Sequence, residues 1–229
     1  MKRLAAITLC AATAFAGTAS IVASFISPCP SGVYGIDYYD GHIFHINADL
    51  GLIYETTMAG NVIRTVRTGR KSFDLDRTAG EFWLADRDTK IIARLTTTGS
   101  LISTFAAPGP YGCGVTRGGA SLWYSNGDDV FRLNQAGSIM DSFAAPAPTA
   151  TGLFWEAPYI WIAGGGSNLY QVTTTGSVVD YFTTPTYAIG ITRGGGATWF
   201  TAGLYVYQAR LCYAPVAPAS LGRVKALYR

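Results

Sequence analysis

The sequence predicts an all-β chain, a β-propeller of five blades of four antiparallel strands, and three observations predict it. The first is a period. Trp83, Trp123, Trp161 and Trp199 follow one another at steps of 40, 38 and 38, and Phe44 takes the same place 39 residues before Trp83. The turn glycines Gly60, Gly99, Gly137 and Gly176 step by 39, 38 and 39. A fixed spacing of this size marks one supersecondary unit used again and again. The second is the texture of each unit: apolar residues alternate or run in fours to sixes between Gly, Asn, Asp and Thr, the pattern of strands rather than helices. The third is burial. A lone four-stranded sheet cannot bury both faces, whereas sheets stacked radially cover one another and shelter their edges. The tryptophans then read as anchors between blades, each worth about 3–5 kcal/mol if truncated.

In chain order, the N-terminus MKRLAAITLCAATAFAGTA sets Lys2 and Arg3 before an uncharged run and ends in small residues. Residues 1–19 therefore read as a secretory signal peptide cut near Ala19, which predicts a secreted or cell-envelope protein. The uncharged stretch Leu4 to Ile26 is also long enough to stay as a membrane anchor. With the signal gone, no membrane span is expected. Ser20 to Phe25, SIVASF, matches Ser100 to Phe105, SLISTF, which is the fourth strand of a unit. It lacks a blade of its own, so strand 20–25 is expected to complete the last blade and close the ring.

The blades are expected at 33–66, 71–105, 112–143, 152–182 and 188–208. In the third, the strands read as Gly114–Arg117, Ser121–Asn126, Asp129–Asn134 and Ile139–Phe143. The 210 residues from Ser20 onward give 42 per blade for five blades and 35 for six, so six is the alternative. The tail 209–229 departs from the repeat, with a loop marked by Cys212, Pro215 and Pro218. Its GRVKALY, residues 222–228, again resembles a fourth strand and competes for the outer place in blade five. Otherwise the tail packs outside the ring or attaches it to something larger.

Charge sets limits on partners. Removing Lys2 and Arg3 from the 17 bases leaves 15 against 14 acids, which gives no electrostatic case for nucleic acid. A monomer is expected. Three cysteines follow the signal, an odd number, so at least one is unpaired. Cys29 and Cys212 both fall at the seam of the ring, and a Cys29–Cys212 disulfide is expected to lock it. Cys113 reads as a buried free thiol.

Trp83-Leu84-Ala85-Asp86, the strand KIIARL and the segment TTTGSLISTF resemble repeats of the NHL and streptogramin-lyase-like group, to which gluconolactonase-like propellers are also related. The resemblance covers nearly the whole mature chain, but in structural positions. It implies the fold, and functions ranging from protein or RNA binding to lyases and lactonases. The lyases of that group depend on a histidine and a bound divalent metal. Here His42 and His45 lie three apart in one strand, on opposite faces, and cannot share one metal. The lactonase-like relatives cage a metal with axial carboxylates and an Asn. The aligned inner-strand positions here are Asp37, Asp76, Thr116, Phe154 and Thr192, so Asp37 and Asp76 are the candidate metal ligands. The glycines after Arg193 read as a hairpin turn, since no helix follows for a phosphate cradle.

The turns after the landmark aromatics carry Asn47 and Asp49, Asp86 and Asp88, and Asn126, Asp128 and Asp129. Asp and Asn favour turns for their own reasons, and their oxygens also suit calcium or another divalent ion. Topology puts these turns on the face that carries the linkers between blades, with Tyr34, Tyr111 and Tyr187. Tyrosine offers an apolar ring with a polar tip, which suits a binding rim or a plug for the channel mouth. The candidate ligand-binding set is therefore Tyr34, Tyr111, Tyr187, Asp88, Asn126 and Asp128, for a glycan, peptide or protein. The chain reads as a binding or surface-interaction module without catalysis. The alternative is a metal-dependent lyase or lactonase-type hydrolase with an axial site at Asp37 and Asp76.

Overall fold

The computed structural model describes residues 15–109, 111–164 and 166–213. Among them every regular element is a strand. A long β1 (Phe15–Ile26) precedes three quartets: β2 (Ile36–Tyr39), β3 (His42–Asn47), β4 (Leu52–Thr57) and β5 (Val62–Arg67); β6 (Ser72–Arg77), β7 (Glu81–Asp86), β8 (Ile91–Thr96) and β9 (Leu101–Ala106); β10 (Val115–Gly118), β11 (Ser121–Ser125), β12 (Asp129–Leu133) and β13 (Ile139–Ala144). Then come β14 (Ala150–Glu156), β15 (Tyr159–Gly164), β16 (Asn168–Thr173), β17 (Val178–Thr183), β18 (Ile191–Gly194), β19 (Ala197–Ala202) and β20 (Tyr205–Tyr213). The 40-residue period thus resolves into four strands per repeat, joined by tight hairpins. Asp40 and Gly41, with φ of 51° and 82°, make a two-residue turn whose twist matches the strands it joins. Gly195 and Gly196, with φ of 61° and 76°, do the same between β18 and β19.

The sheets differ from the expected set of separate quartets. β2–β5, β6–β9 and β10–β13 each form a four-stranded sheet, but the rest is one eight-stranded sheet in the order β14-β15-β16-β17-β1-β20-β19-β18. The cause is the length of β1. Most of it pairs antiparallel with β20, from Gly17 opposite Tyr213 to Ile26 opposite Tyr205. Its start also pairs parallel with β17, Phe15 opposite Asp180 to Thr18 opposite Thr183. β1 therefore starts inside the segment expected as signal, and β20 runs five residues into the expected tail. Residues 1–14 and the strand expected at 222–228 lie outside the described residues.

This register overturns the expected disulfide. Cys212 lies opposite Thr18, whereas Cys29 follows Ile26, which lies opposite Tyr205. Seven residues of extended chain separate Tyr205 from Cys212, roughly 23 Å at the rise of a strand, far beyond the reach of an S–S bond. Both thiols are free, as is Cys113, and Cys29 and Cys113 are buried.

Two relays tie each sheet to the next. The first joins inner strands by polar side chains. Thr192 on β18 accepts the Tyr38 amide of β2 at 3.1 Å, and Asp37 accepts the Arg77 amide of β6 at 2.6 Å. Asp76 accepts the Arg117 amide of β10 at 3.0 Å, and Thr116 accepts the Trp155 amide of β14 at 3.1 Å. Phe154 holds the fifth equivalent place and has no acceptor to offer. The second relay covers the landmark aromatics, all at most 4% exposed. The residue just after each relay position lies over the landmark ring of the preceding repeat. Arg77 sits over Phe44 at 5.5 Å, Arg117 over Trp83 at 5.5 Å and Arg193 over Trp161 at 5.0 Å. Trp155 stacks on Trp123 at 6.0 Å, and Tyr38 packs on the cluster that holds Trp199.

At the rim, the turn glycines carry φ of 84° to 90°, a conformation that costs glycine nothing. A Cβ on Gly137 or Gly176 would strike Phe105 or Phe143 of the preceding repeat, and on Gly60 it would strike Phe25 of β1. β1 thus stands to the first repeat as β9 stands to the third.

Candidate functional site

The loops at the start of the inner strands enclose a cleft of about 250 Å³. Tyr111, Asn126 and Asp128, three of the residues singled out by sequence, line it together. Tyr111 is 66% exposed, and its carbonyl accepts the hydroxyl of buried Tyr124 at 2.6 Å, which pins the linker in place. Asn126 shapes the turn beside it: its Oδ1 accepts the amides of Asp128 at 3.1 Å and Asp129 at 2.8 Å. This turn is tied to the following repeat. Gly127 donates to Ser125 Oγ, Ser125 Oγ donates to the Ala150 carbonyl, and the Ala150 amide donates back to Gly127, at 3.0, 2.8 and 2.9 Å.

Tyr187 does not line the cleft but holds its wall, its hydroxyl 3.3 Å from Thr149 Oγ1. Thr149 lines the cleft with a φ of 61°, unusual for a β-branched residue. Tyr34 stands behind the opposite wall, its ring 5.2 Å from that of Phe73. Asp88 is elsewhere, on the rim, paired with Arg87 at 2.9 Å and Lys71 at 3.3 Å.

Sequence reasoning missed Phe73 and Thr151, which also line the cleft. Each sits at a β-bulge. The β6–β7 register slips between Ser72 and Asp74, and the β14–β15 register between Ala150 and Gly152. A bulge leaves one residue out of the ladder and re-aims it. Ser72 Oγ holds the first bulge, its one proton set between the carbonyls of Asp74 at 2.7 Å and Ala85 at 2.6 Å. Thr151 Oγ1 holds the second through the Ile189 carbonyl at 2.7 Å. Cys113, read from sequence as a buried thiol, completes the lining. Burial, and behind it the carboxylates of Asp74 and Asp128, push its pKa up to about 11. Asp74 is fully buried beneath. Its Oδ2 accepts the amides of Val115 and Leu153, each at 3.0 Å, and its Oδ1 has no partner among the described residues.

Repeated quartets joined face to face through their inner strands decide the architecture. The fold is that of a β-propeller. The chain is similar to the glutaminyl cyclase of Myxococcus xanthus, with a TM-score of 0.76 at 15% identity over 88% of this chain and 100% of that one. It is also similar to a streptogramin B lyase, with a TM-score of 0.56 at 15% identity over 82% and 97%. Against the virginiamycin B lyase of Staphylococcus aureus the TM-score is 0.51 at 22% identity, over 81% and 68%. The two lyases belong to the streptogramin-lyase-like propellers that the repeats resemble, and at such identities the likeness is one of fold. The sequence matches no protein-family model and no curated protein.

Deeper in the propeller lie Asp37 and Asp76, both buried, and Asp76 Oδ2 has no hydrogen-bond partner among the described residues. Among the described residues no three His, Cys, Asp or Glu side chains gather as a metal would require. Both oxygens of Asp37 are bonded, Oδ2 to the Arg77 amide and Oδ1 to Thr192 Oγ1 at 2.9 Å and the Tyr38 amide at 2.8 Å. Asp76 Oδ1 takes Thr116 Oγ1 and the Arg117 amide, each at 3.0 Å. Burial raises Asp37 to about 8, helped by Asp76, and raises Asp76 to about 6. The histidines stand apart. His42 Nδ1 lies 2.7 Å from Glu55, while His45 is buried and stacked on Tyr54, and burial lowers its pKa to about 3. A polar hollow of about 220 Å³ at the opposite end of the inner strands is lined by Glu156 and Arg193, which pair with each other. No helix among the described residues is long and apolar enough to cross a membrane.

Proposed function

We propose that this protein is an exported, five-bladed propeller closed by its N-terminal strand, and that it works as a non-catalytic binding module at the cell surface or envelope. The blades are β2–β5, β6–β9, β10–β13, β14–β17, and β18–β20 with β1. The contact of β18 with β2 and the seat of Phe25 against Gly60 support the closure. The ligand is a residue-sized group of a glycan, peptide or protein, taken up in the cleft at Tyr111.

The observation that carries this reading is convergence. Tyr111 from a linker, Asn126 and Asp128 from a hairpin, and Phe73 and Thr151 from two bulges belong to three repeats and share one cleft. The axial acids support a structural part for themselves, since their hydrogen bonds go to neighbouring inner strands. The test is binding of the purified protein to glycan and peptide arrays. Tyr111→Ala is expected to weaken any ligand found by tenfold or more, and Tyr187→Ala to weaken it less. Ligands that bind both variants as well as the parent would defeat the reading.

Export is expected to leave β1 whole. Gly17 and Ala19 are buried, and a cut after Ala19 would strip the residues that pair with β17. The leader is therefore removed ahead of Phe15. The intact mass of the secreted protein checks this, and a chain beginning at Ser20 would contradict it.

A further inference from the structure

The cleft carries an electrostatic signature that names the class of its ligand, granted that the cleft is a binding site. Two of its walls are aromatic, Phe73 and Tyr111. Among the described residues neither a lysine nor an arginine lines it. Its carboxylate, Asp128, makes no ion pair among the described residues, unlike Asp49, Asp86 and Asp88 on the sister turns, which are paired with Arg87, Arg70 and Lys71. Arg87 lies over the Phe73 ring at 5.1 Å, and Asp88 and Asp49 already balance its charge. Asp74 lies buried beneath, and burial holds its carboxyl well above the usual carboxylate range, so it is not counted toward the charge of the cleft.

Aromatic faces attract cations through their quadrupole, and an uncompensated carboxylate at the rim adds to that attraction. An anion would meet Asp128 with no basic side chain to offset it. A neutral ligand would leave that charge unused. We propose that the cleft selects an organic ammonium group: a lysine side chain, or a quaternary ammonium such as choline carries. Phe73 and Tyr111 take its apolar shell and Asp128 its charge, with the hydroxyls of Thr149 and Thr151 in reach of a primary ammonium's protons. A primary ammonium is the form a protein partner would present, and a quaternary one the form of a small metabolite or a headgroup.

The test is calorimetric titration of the whole protein with pairs of equal shape and different charge. The pairs are choline against 3,3-dimethylbutan-1-ol, and N-acetyl-lysine amide against N-acetyl-norleucine amide. The expected result is at least tenfold tighter binding of one cation than of its neutral twin. Asp128→Asn should reduce this preference about tenfold with unchanged thermal stability, since Asp128 is exposed. Tyr111→Phe should retain binding and Tyr111→Leu should lose it. The pair that discriminates tells the two forms apart. Neutral twins that bind as well as the cations would overturn the ammonium assignment and leave the cleft as a binding site. Failure of both cations to bind, with a neutral array ligand still lost in Tyr111→Ala, would do the same. Failure of every probe together with an unaffected Tyr111→Ala would remove the site itself.

Discussion

Trp123 is 2% exposed, with Trp155 stacked on it from the next repeat and Arg132 over its ring at 5.8 Å. Its indole fills the space between two sheets that nothing else would fill. Trp123→Ala is expected to cost about 3–5 kcal/mol, read from urea unfolding. The tryptophans were legible because a large apolar side chain that returns at a constant spacing marks the same place in every repeat. Their partners were not legible, because Arg77, Arg117 and Arg193 look like ordinary surface charges until their blades come together. The acids of the inner strands were legible as a row, but their bonds to the amides of the neighbouring strands were not. Burial lifts Asp37 from the ordinary 3.8 to about 8 and Asp76 to about 6. A folded-state pKa above the unfolded one gives stability that is full below the unfolded value and lost as the pH rises through the folded one. Glu55 and Glu81 act in the opposite sense, only near and below their ordinary range: at Glu55 Arg64 and His42 outweigh burial, and at Glu81 the bond from Arg94 leads. Buried His45, held down at about 3, also acts in the opposite sense and adds stability as the pH rises toward its ordinary 6.5, so the melting temperature is expected to fall by about 3 °C or more between pH 7 and pH 9. Asp37→Asn should flatten that slope. A melting temperature that rises over the same range would contradict the assignment.

At the scale of the strand, β1 joins two outer edges, antiparallel to β20 and parallel to β17. An unpaired outer edge is a site for aggregation, and β1 removes two of them. Deleting Phe15 to Thr18 is expected to lower stability by about 1–3 kcal/mol while the fold survives, as measured by urea denaturation. Gly17 is the reason for more than a trivial loss, since its bare Cα lies against Phe182 and the Cys212 carbonyl. The sequence similarity of SIVASF to SLISTF revealed the second half of β1, because it copies a repeat. The first half copies nothing, and its small residues look like the end of a leader. The bulges at Phe73 and Thr151 were hidden for a related reason. A bulge is a slip of register between two strands, and it shows only once the partner strand is known. Two of the walls of the cleft depend on such slips, so Tyr111, Asn126 and Asp128 were legible from sequence and the rest of the lining was not.

Over the whole molecule, the polar relay passes from β18 to β2, β6, β10 and β14 and lapses only at Phe154. The Arg193–Glu156 pair and the Thr151–Ile189 bond join the fourth and fifth repeats there instead. A sheet that would be marginal alone is held on two sides, and the loops at one end are fixed closely enough to shape a cleft. All of this depends on the N-terminal strand sitting beside β20 in the observed register. Ser20 Oγ lies 4.0 Å from Cys212 Sγ, although 192 residues separate them in sequence. The most direct test is therefore Ser20→Cys, oxidised mildly and mapped by mass spectrometry without reduction, with Ser24→Cys as the control, since Ser24 lies opposite Tyr207. The account predicts a monomer in which the new cysteine is linked to Cys212, and a control in which Cys212 stays free. A Ser20→Cys protein that folds but leaves Cys212 free, or links only between molecules, would contradict it.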